Sequence, residues 1–200
     1  MNRPVIGYHL VFGAYGFWLP NDPRGSWSRR VWANRLIPFG PPVPANTRRS
    51  RAALPHDRAT RLAAKETLKY PPARFTGVQA KCIADAIAQD VRKYGLPVYA
   101  AAFMPDHVHL VIPRQSQSAE AWVGYFKRAA SKALRVAGLH PMADCRDARG
   151  RLPSVWADHG WKVFLFSPED FLAAIEYVEK NPIVAGLKAQ RWSWITRYEP

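Results

Sequence analysis

Two histidines separated by one residue form the pattern in this sequence that is best suited to chemistry. His107 and His109 alternate with apolar residues in a segment that ends at Ile112. This period of two is typical of a strand with one buried face, and it places both imidazoles on the same side. Two neutral imidazoles, roughly 6–7 Å apart along a strand, can bind one divalent cation. The common alternative is a polar pair on a solvated strand face, so the rest of the chain must decide.

Apolar runs on either side of this pair predict the sheet that positions it. Residues 6–15 are rich in aromatic and β-branched side chains, and residues 96–104 form a second apolar run. Pro105 and Asp106 make a tight link from that run into the histidine segment, which predicts an antiparallel hairpin. The histidine pair would then lie beside a turn at the edge of the sheet. A further short strand is predicted at residues 161–166.

Two helices are predicted between these strands. The first has apolar residues at helical spacing up to Tyr94, and Gly95 is suited to a left-handed cap. The second covers residues 119–137, with Ser118 as its N-cap and Gly138 after its end. Its predicted buried line consists of Trp122, Phe126, Ala129, Ala133 and Val136.

The last predicted helix carries the second half of a candidate site. It begins at Ser167 and extends to about Asn181, because Pro182 disfavours a helical conformation in the residue before it. Tyr177 and Asn181 lie one turn apart on one flank of its apolar line. From there a phenol and an amide oxygen can reach across the sheet. An isolated tyrosine in such a place more often packs at the boundary of the core.

The charge balance favours a polyanionic partner. There are 29 Lys and Arg residues against 15 Asp and Glu, which gives a net charge of +14 and a pI near 10.2. Nucleic acid and an anionic membrane are the candidates. No apolar run approaches the ~20 residues that a membrane span needs. Two cysteines make neither a disulfide framework nor a zinc pattern, and they suit a reducing cytoplasm.

One predicted helix concentrates this positive charge. Within residues 119–137, Arg128, Lys132 and Arg135 share a face at offsets of four and seven, and Lys127 adjoins them. Such a face next to a metal site predicts a track for DNA phosphates. A solvated helix face is the alternative.

Residues 20–72 differ in composition from the rest of the chain. They hold half of the 18 prolines, interleaved with arginines. We interpret them as an inserted, mostly irregular arm of a single domain that spans residues 1–200, with one short helix near residues 57–68. The arginines are candidates for phosphate contacts. Trp18, Trp27 and Trp32 are candidates for stacking on bases, with ordinary packing as the alternative.

Two segments in combination resemble a known family. The sequence MPDHVHLVI at 104–112 resembles the His-hydrophobic-His (HUH) motif of the single-tyrosine transposases of bacterial insertion sequences. The sequence YVEKNPIVAGL at 177–187 resembles the tyrosine helix of their REP-associated branch, Tyr-x-x-x-Asn-Pro-x-x-Ala-Gly. Residues 8–12 and the region of Trp156 are also similar. The resemblance therefore covers nearly the whole chain, and residues 20–72 are its least typical part.

The resemblance implies a fold, a site and a reaction. The fold is α+β, a ferredoxin-like two-layer sandwich whose central antiparallel sheet has helices on one face. His107, His109 and Asn181 would bind Mg²⁺ or Mn²⁺, and Tyr177 would be the nucleophile. The reaction would cleave and rejoin single-stranded or hairpin DNA through a 5′-phosphotyrosine. A cytoplasmic, nucleoid-associated location and a homodimer are compatible with the family.

Three other functions stay open on the sequence alone. A rolling-circle replication initiator or relaxase-type nickase is one, since Tyr177 and Lys180 fit the Tyr-x-x-Lys spacing of initiators. The Asn-Pro and Ala-Gly continuation disfavours it. A domesticated, catalytically silent DNA-binding protein would keep the fold and the charge. A mononuclear metal hydrolase would use His9 or His159 as an extra ligand.

Overall fold

Four antiparallel strands form the sheet that carries the histidines, in a computed structural model that describes residues 3–26, 28–45, 51 and 54–200. The strands are β1 (Gly7–Gly13), β2 (Ala100–Phe103), β3 (His107–Pro113) and β4 (Trp161–Leu165), and their order is β2-β3-β1-β4. The predicted hairpin of β2 and β3 is confirmed. The histidine pair does lie beside a turn, but its predicted place at the edge of the sheet was wrong, because β1 pairs with the other side of β3.

Helices cover both faces of this sheet. The α+β class and the antiparallel sheet are confirmed, and α2 (Gly77–Tyr94) and α3 (Ala119–Val136) pack together on one face. The expectation that helices cover only one face holds for these two and was wrong for the last helix. The last helix, α4 (Pro168–Val184), packs instead on the opposite face, against β2 and β3. Small side chains on that face, Ala100 and Ala102, let α4 approach closely. The histidines therefore lie under α4 rather than in the larger core.

The caps predicted at Gly95 and Ser118 are confirmed. Gly95 ends α2 in the left-handed conformation, and a capping box at Thr76 and Gln79, which was not predicted, starts that helix. Ser118 caps α3, whose buried line runs through Trp122, Phe126, Ala130 and Leu134. After Phe126 the predicted line was wrong: Ala129 and Ala133 are only half-buried, and Val136 is 77% exposed. The buried residues follow steps of four along the helix, where α3 contacts α2. Within the described residues, none of the helices combines the length and apolarity that a bilayer crossing requires.

Helix α4 continues past the residue that was predicted to end it. Ser167 accepts a hydrogen bond from the Asp170 N–H, and Pro168 occupies the first turn. Pro182 lies inside the helix, so the prediction of an end at Asn181 was wrong by about one turn. The proline removes one donor, but the Asn181 carbonyl still accepts from Ala185, and the last turn closes.

Residues 20–72 contain a 3₁₀ helix, Asn34–Phe39, and a helix α1, Arg58–Glu66. The predicted short helix is therefore confirmed, with Asp57 as its N-cap. A small core of Leu19, Leu36 and Ala64 joins the two. Trp27, a candidate for base stacking, lies outside the described residues.

The arginine and tryptophan candidates of this part differ in exposure. Arg24 is buried in an ion pair with Asp22 at 2.8 Å, and its guanidinium lies 3.9 Å from the centre of the Trp18 ring. Trp18 donates to the Gly25 carbonyl, which is a packing role. Trp32 is 79% exposed.

The C-terminal residues form a strap across β2. The Gln190 amide accepts from the N–H of Phe103 and donates to its carbonyl, both at 2.8 Å. Trp192 and Trp194 pack on the Phe103 ring, and Thr196 bonds to Val98. Within the described residues the tail therefore returns to the sheet as a strap and not as a further strand.

Candidate active site

The register of β1 and β3 gathers three histidines on one face of the sheet. Gly13 lies opposite His107, and Val11 lies opposite His109. His9, two residues before Val11, therefore projects from the same face as the His-x-His pair. The Nε2 atom of His9 lies 2.9 Å from the Nδ1 atom of His109. Both side chains are buried, so this bond is shielded from water.

Two neighbouring side chains, Asp106 and Phe17, hold the His107 ring in place. Its Nδ1 atom lies 2.7 Å from a carboxylate oxygen of Asp106, and its ring stacks on Phe17 at 4.6 Å. Gly13 makes that stacking possible, because a Cβ there would come within 2.8 Å of the Phe17 ring. Burial pushes the Asp106 pKa upward, but the bond to His107 and the charges of His107, Arg74 and Lys65 hold it below its usual value. The carboxylate thus stays ionised and orients the ring.

Helix α4 brings Tyr177 to the same cluster. The Tyr177 ring centre lies 5.6 Å from that of His9 and 5.7 Å from that of His109. The His107 and His109 rings are 4.7 Å apart and nearly perpendicular. Tyr177 is 41% exposed, so a large ligand can reach its phenol. The structure thus unites three of the four residues predicted for the site's chemistry.

The two interior imidazoles are neutral at physiological pH. Burial, and then the nearby His107, lower the pKa of His9 to about 4. Burial, followed by His107 and His9, holds the pKa of His109 well below its ordinary value. A neutral imidazole has one nitrogen with a free lone pair, which is the form that binds metals. The environment of His9 and His109 therefore favours the neutral imidazoles that can bind a cation, rather than positively charged rings that would repel one.

Two of the three predicted metal ligands, His107 and His109, each have a ring nitrogen that can bind a divalent cation. The Nε2 atom of His109 is buried, and no other described residue forms a hydrogen bond with it. Because the Nδ1 atom of His107 is bonded to Asp106, its Nε2 atom is the one left for a ligand. Asn181 lies one turn after Tyr177, half-buried, and its amide makes no hydrogen bond to the histidines within the described residues. Among those residues, no three His, Cys, Asp or Glu side chains are arranged as a metal site.

The basic face of α3 lines a groove of about 720 Å³ on the opposite side of the sheet. Its walls include Lys127, Arg128, Lys132, Arg135, Asp158 and Lys162. All four residues predicted to bind DNA thus line one surface. Their predicted position next to the histidine pair was wrong, because α3 packs on the face of the sheet that the histidines do not occupy. Lys127 also anchors the groove wall, because its ammonium donates to the carbonyls of Ala157 and His159.

Three residues of the cluster were not assigned to it from the sequence. His9 was considered only as an extra ligand, and its place depends on a strand register that the sequence does not specify. Asp106 was interpreted as a turn residue, although its position directly before His107 was a usable signal. Phe17 lies in a segment without periodicity, so no pattern pointed to it. His159, the other extra-ligand candidate, lies beside the groove.

By its fold the chain is an α+β protein. Its antiparallel sheet carries His9, His107 and His109, and its last helix places Tyr177 beside them. Two solved structures are similar to it in fold. A REP-associated tyrosine transposase bound to a REP hairpin has a TM-score of 0.47 and 11% identity, over 94% of this chain and 73% of that chain. A protein named as a candidate transposase, from Deinococcus radiodurans R1, has a TM-score of 0.40 and 14% identity, over 90% of this chain and 92% of that chain. No protein-family model matches the sequence, and no curated protein does.

Proposed function

We propose that this protein is a single-tyrosine DNA transposase that cleaves and rejoins single-stranded or hairpin DNA. One observation carries the proposal, namely the position of the Tyr177 ring within 6 Å of two buried, neutral histidine rings. The polar groups that these side chains offer are the phenol of Tyr177 and the ring nitrogens of the histidines. Brought together on a partly open face, they suit nucleophilic attack on a phosphodiester.

The reaction assigned to Tyr177 exchanges one phosphate ester for another. The phenol oxygen attacks the phosphorus and loses its proton to solvent, which reaches this exposed side chain. The bond from phosphorus to the 3′ oxygen breaks, and that oxygen takes a proton and leaves as a 3′-hydroxyl. The 5′ phosphate stays on the tyrosine. Because the ester conserves the energy of the broken bond, a new 3′-hydroxyl can reverse the step and join a different strand.

His107 and His109 are the residues that would hold a divalent cation, with Asn181 as the third ligand. When bound, such an ion supplies polarisation of a phosphoryl oxygen and offsets negative charge in the transition state. Two imidazoles favour Mn²⁺ over Mg²⁺, which prefers oxygen ligands. Asp106 keeps the His107 ring in place, and Phe17 excludes water from one of its faces.

The groove on α3 supports DNA as the substrate. Arg128, Lys132 and Arg135 place three cations along one helix face, and the chain has a net charge of +14. Groups spaced in this way can neutralise successive phosphates. They lie on the face of the sheet away from Tyr177, so they would bind DNA flanking the cleaved phosphate.

The decisive experiment compares Tyr177→Phe with the wild type. A labelled single-stranded hairpin is incubated with Mn²⁺ and resolved on a denaturing gel, and any protein–DNA adduct is mapped by mass spectrometry. We expect the adduct to be lost in Tyr177→Phe while hairpin affinity stays nearly intact. Tyr125→Phe is the matched control, because Tyr125 lies on α3 against Trp122 and should keep the adduct. An adduct that survives in Tyr177→Phe and maps elsewhere refutes this assignment.

The same gel separates the rival functions. Nicked product without rejoined strands indicates a replication-type nickase. Hairpin binding with neither adduct nor cleavage indicates a silent DNA-binding protein. Hydrolysis without any tyrosine ester indicates a metal hydrolase.

A further inference from the structure

His9 contacts both parts of the candidate site without being assigned a role in it. Its Nε2 atom lies 2.9 Å from Nδ1 of His109, and its ring centre lies 5.6 Å from that of Tyr177. Only 8% of His9 and 4% of His109 is exposed, so water does not compete for the bond between them. No neighbouring carboxylate or backbone carbonyl shares the Nδ1 atom of His109 among the hydrogen bonds of the described residues.

A hydrogen bond between two imidazoles contains one proton, and the ring nitrogen that carries this proton sets the chemistry of His109. If His9 donates, then Nε2 of His109 must carry the ring's own proton and is a buried donor with no acceptor among the described residues. If His109 donates from Nδ1, then its Nε2 atom holds a lone pair directed away from His9. Only the second arrangement can bind a cation.

We propose that His9 is a positioning residue that accepts the Nδ1–H of His109 and so fixes the metal-binding tautomer of that ring. The inference rests on the proposed function, in which His109 is a ligand. The outer nitrogen of a ligating histidine is commonly held by a carboxylate, a backbone carbonyl or water. For His107 the carboxylate of Asp106 fills that place, and for His109 the neutral ring of His9 fills it.

The test measures the tautomer directly in protein without metal or DNA. Nitrogen NMR of histidine-labelled protein shows which ring nitrogen of His109 is protonated, and the signals are assigned by their loss in His109→Gln. His9→Gln keeps an acceptor oxygen at a similar reach, whereas His9→Phe keeps the ring shape and removes the acceptor. Tyr8→Phe is the control, since Tyr8 directly precedes His9 in β1 and packs on the other face of the sheet against Phe164.

We expect a proton on Nδ1 of His109 in the wild type, His9→Gln and Tyr8→Phe, and a shift to Nε2 in His9→Phe. Mn²⁺ affinity, measured by titration calorimetry, should fall about 10- to 100-fold in His9→Phe and be largely restored in His9→Gln. A wild-type His109 protonated on Nε2 overturns the inference, even if His9→Phe does not fold. An unchanged tautomer and unchanged Mn²⁺ affinity in His9→Phe also overturn it. Absence of a Tyr177 adduct, with the tautomer as expected, refutes the proposed function instead.

Discussion

At the scale of single residues, the proposed metal ligand His107 makes only a few packing contacts. Its side chain is 15% exposed, and its main contacts are the Phe17 ring and the Asp106 carboxylate. We expect His107→Ala to abolish Mn²⁺-dependent cleavage and to cost only about 1 kcal/mol, or roughly 2–4 °C in Tm. Calorimetry and the cleavage gel measure the two effects. His140→Ala is the control, because His140 bonds to Met142 and Pro153 outside the site. A large fall in Tm with full cleavage would make His107 structural.

Lys127 gives a prediction about pH. Burial lowers its pKa from 10.5 to about 8, and the nearby Asp158 opposes the shift only in part. Between about pH 8 and pH 10.5 the unfolded chain therefore binds more protons, so the free energy of unfolding rises with pH, by at most about 1.4 kcal/mol per unit. A neutral amine keeps two N–H donors for Ala157 and His159.

Denaturant unfolding of wild type and Lys127→Met isolates this contribution, because other groups titrate equally in both. We expect the wild type to gain stability relative to the variant as the pH rises from about 8 to about 10. A difference that stays constant over that range would mean that Lys127 remains fully charged in the folded protein.

At the scale of elements, the strap closes the open edge of β2. The Gln190 amide bonds to both backbone groups of Phe103, and β2 is an edge strand of the sheet that the described residues form. We expect Gln190→Leu to destabilise the protein by about 1–3 kcal/mol, because it leaves a donor and an acceptor without partners. Urea unfolding measures the change. Arg191→Ala, at the exposed neighbouring position, is the control and should stay within about 0.5 kcal/mol of the wild type.

The elements also show where sequence patterns suffice. Alternation around His107 and the capping signals at Ser118 and Ser167 are local, so they predicted strands and helix starts correctly. The side of the sheet that α4 covers depends on the alanines of β2, a contact between distant segments. The partnership of His9 with His109 depends on register in the same way. The local elements were therefore predictable from the sequence, while the contacts between distant segments were not.

At the scale of the whole molecule, the candidate site and the basic groove lie on opposite faces of one sheet. Tyr177 and the histidines lie under α4, whereas Arg128 and Lys132 line the groove on α3. A DNA strand that is cleaved at one face of the sheet and bound at the other must pass around an edge of the sheet. Edge strand β4 lies next to β1 and directly follows the groove wall at residues 157–160. Under the proposed function, DNA that contacts the groove and reaches Tyr177 would pass this edge.

This arrangement predicts how salt affects binding. Replacing Arg128, Lys132 and Arg135 with alanine removes three phosphate contacts, so the slope of log affinity against log salt concentration should flatten by about 2 for a single strand. Fluorescence anisotropy with a labelled hairpin, titrated at several salt concentrations, measures it. The control replaces Arg92, Lys93 and Arg149, which are exposed outside the groove and lower the net charge equally. Because counterion release depends on direct contacts rather than on total charge, the control should keep most of the wild-type slope. Equal flattening in both variants would show that the groove is not the DNA track.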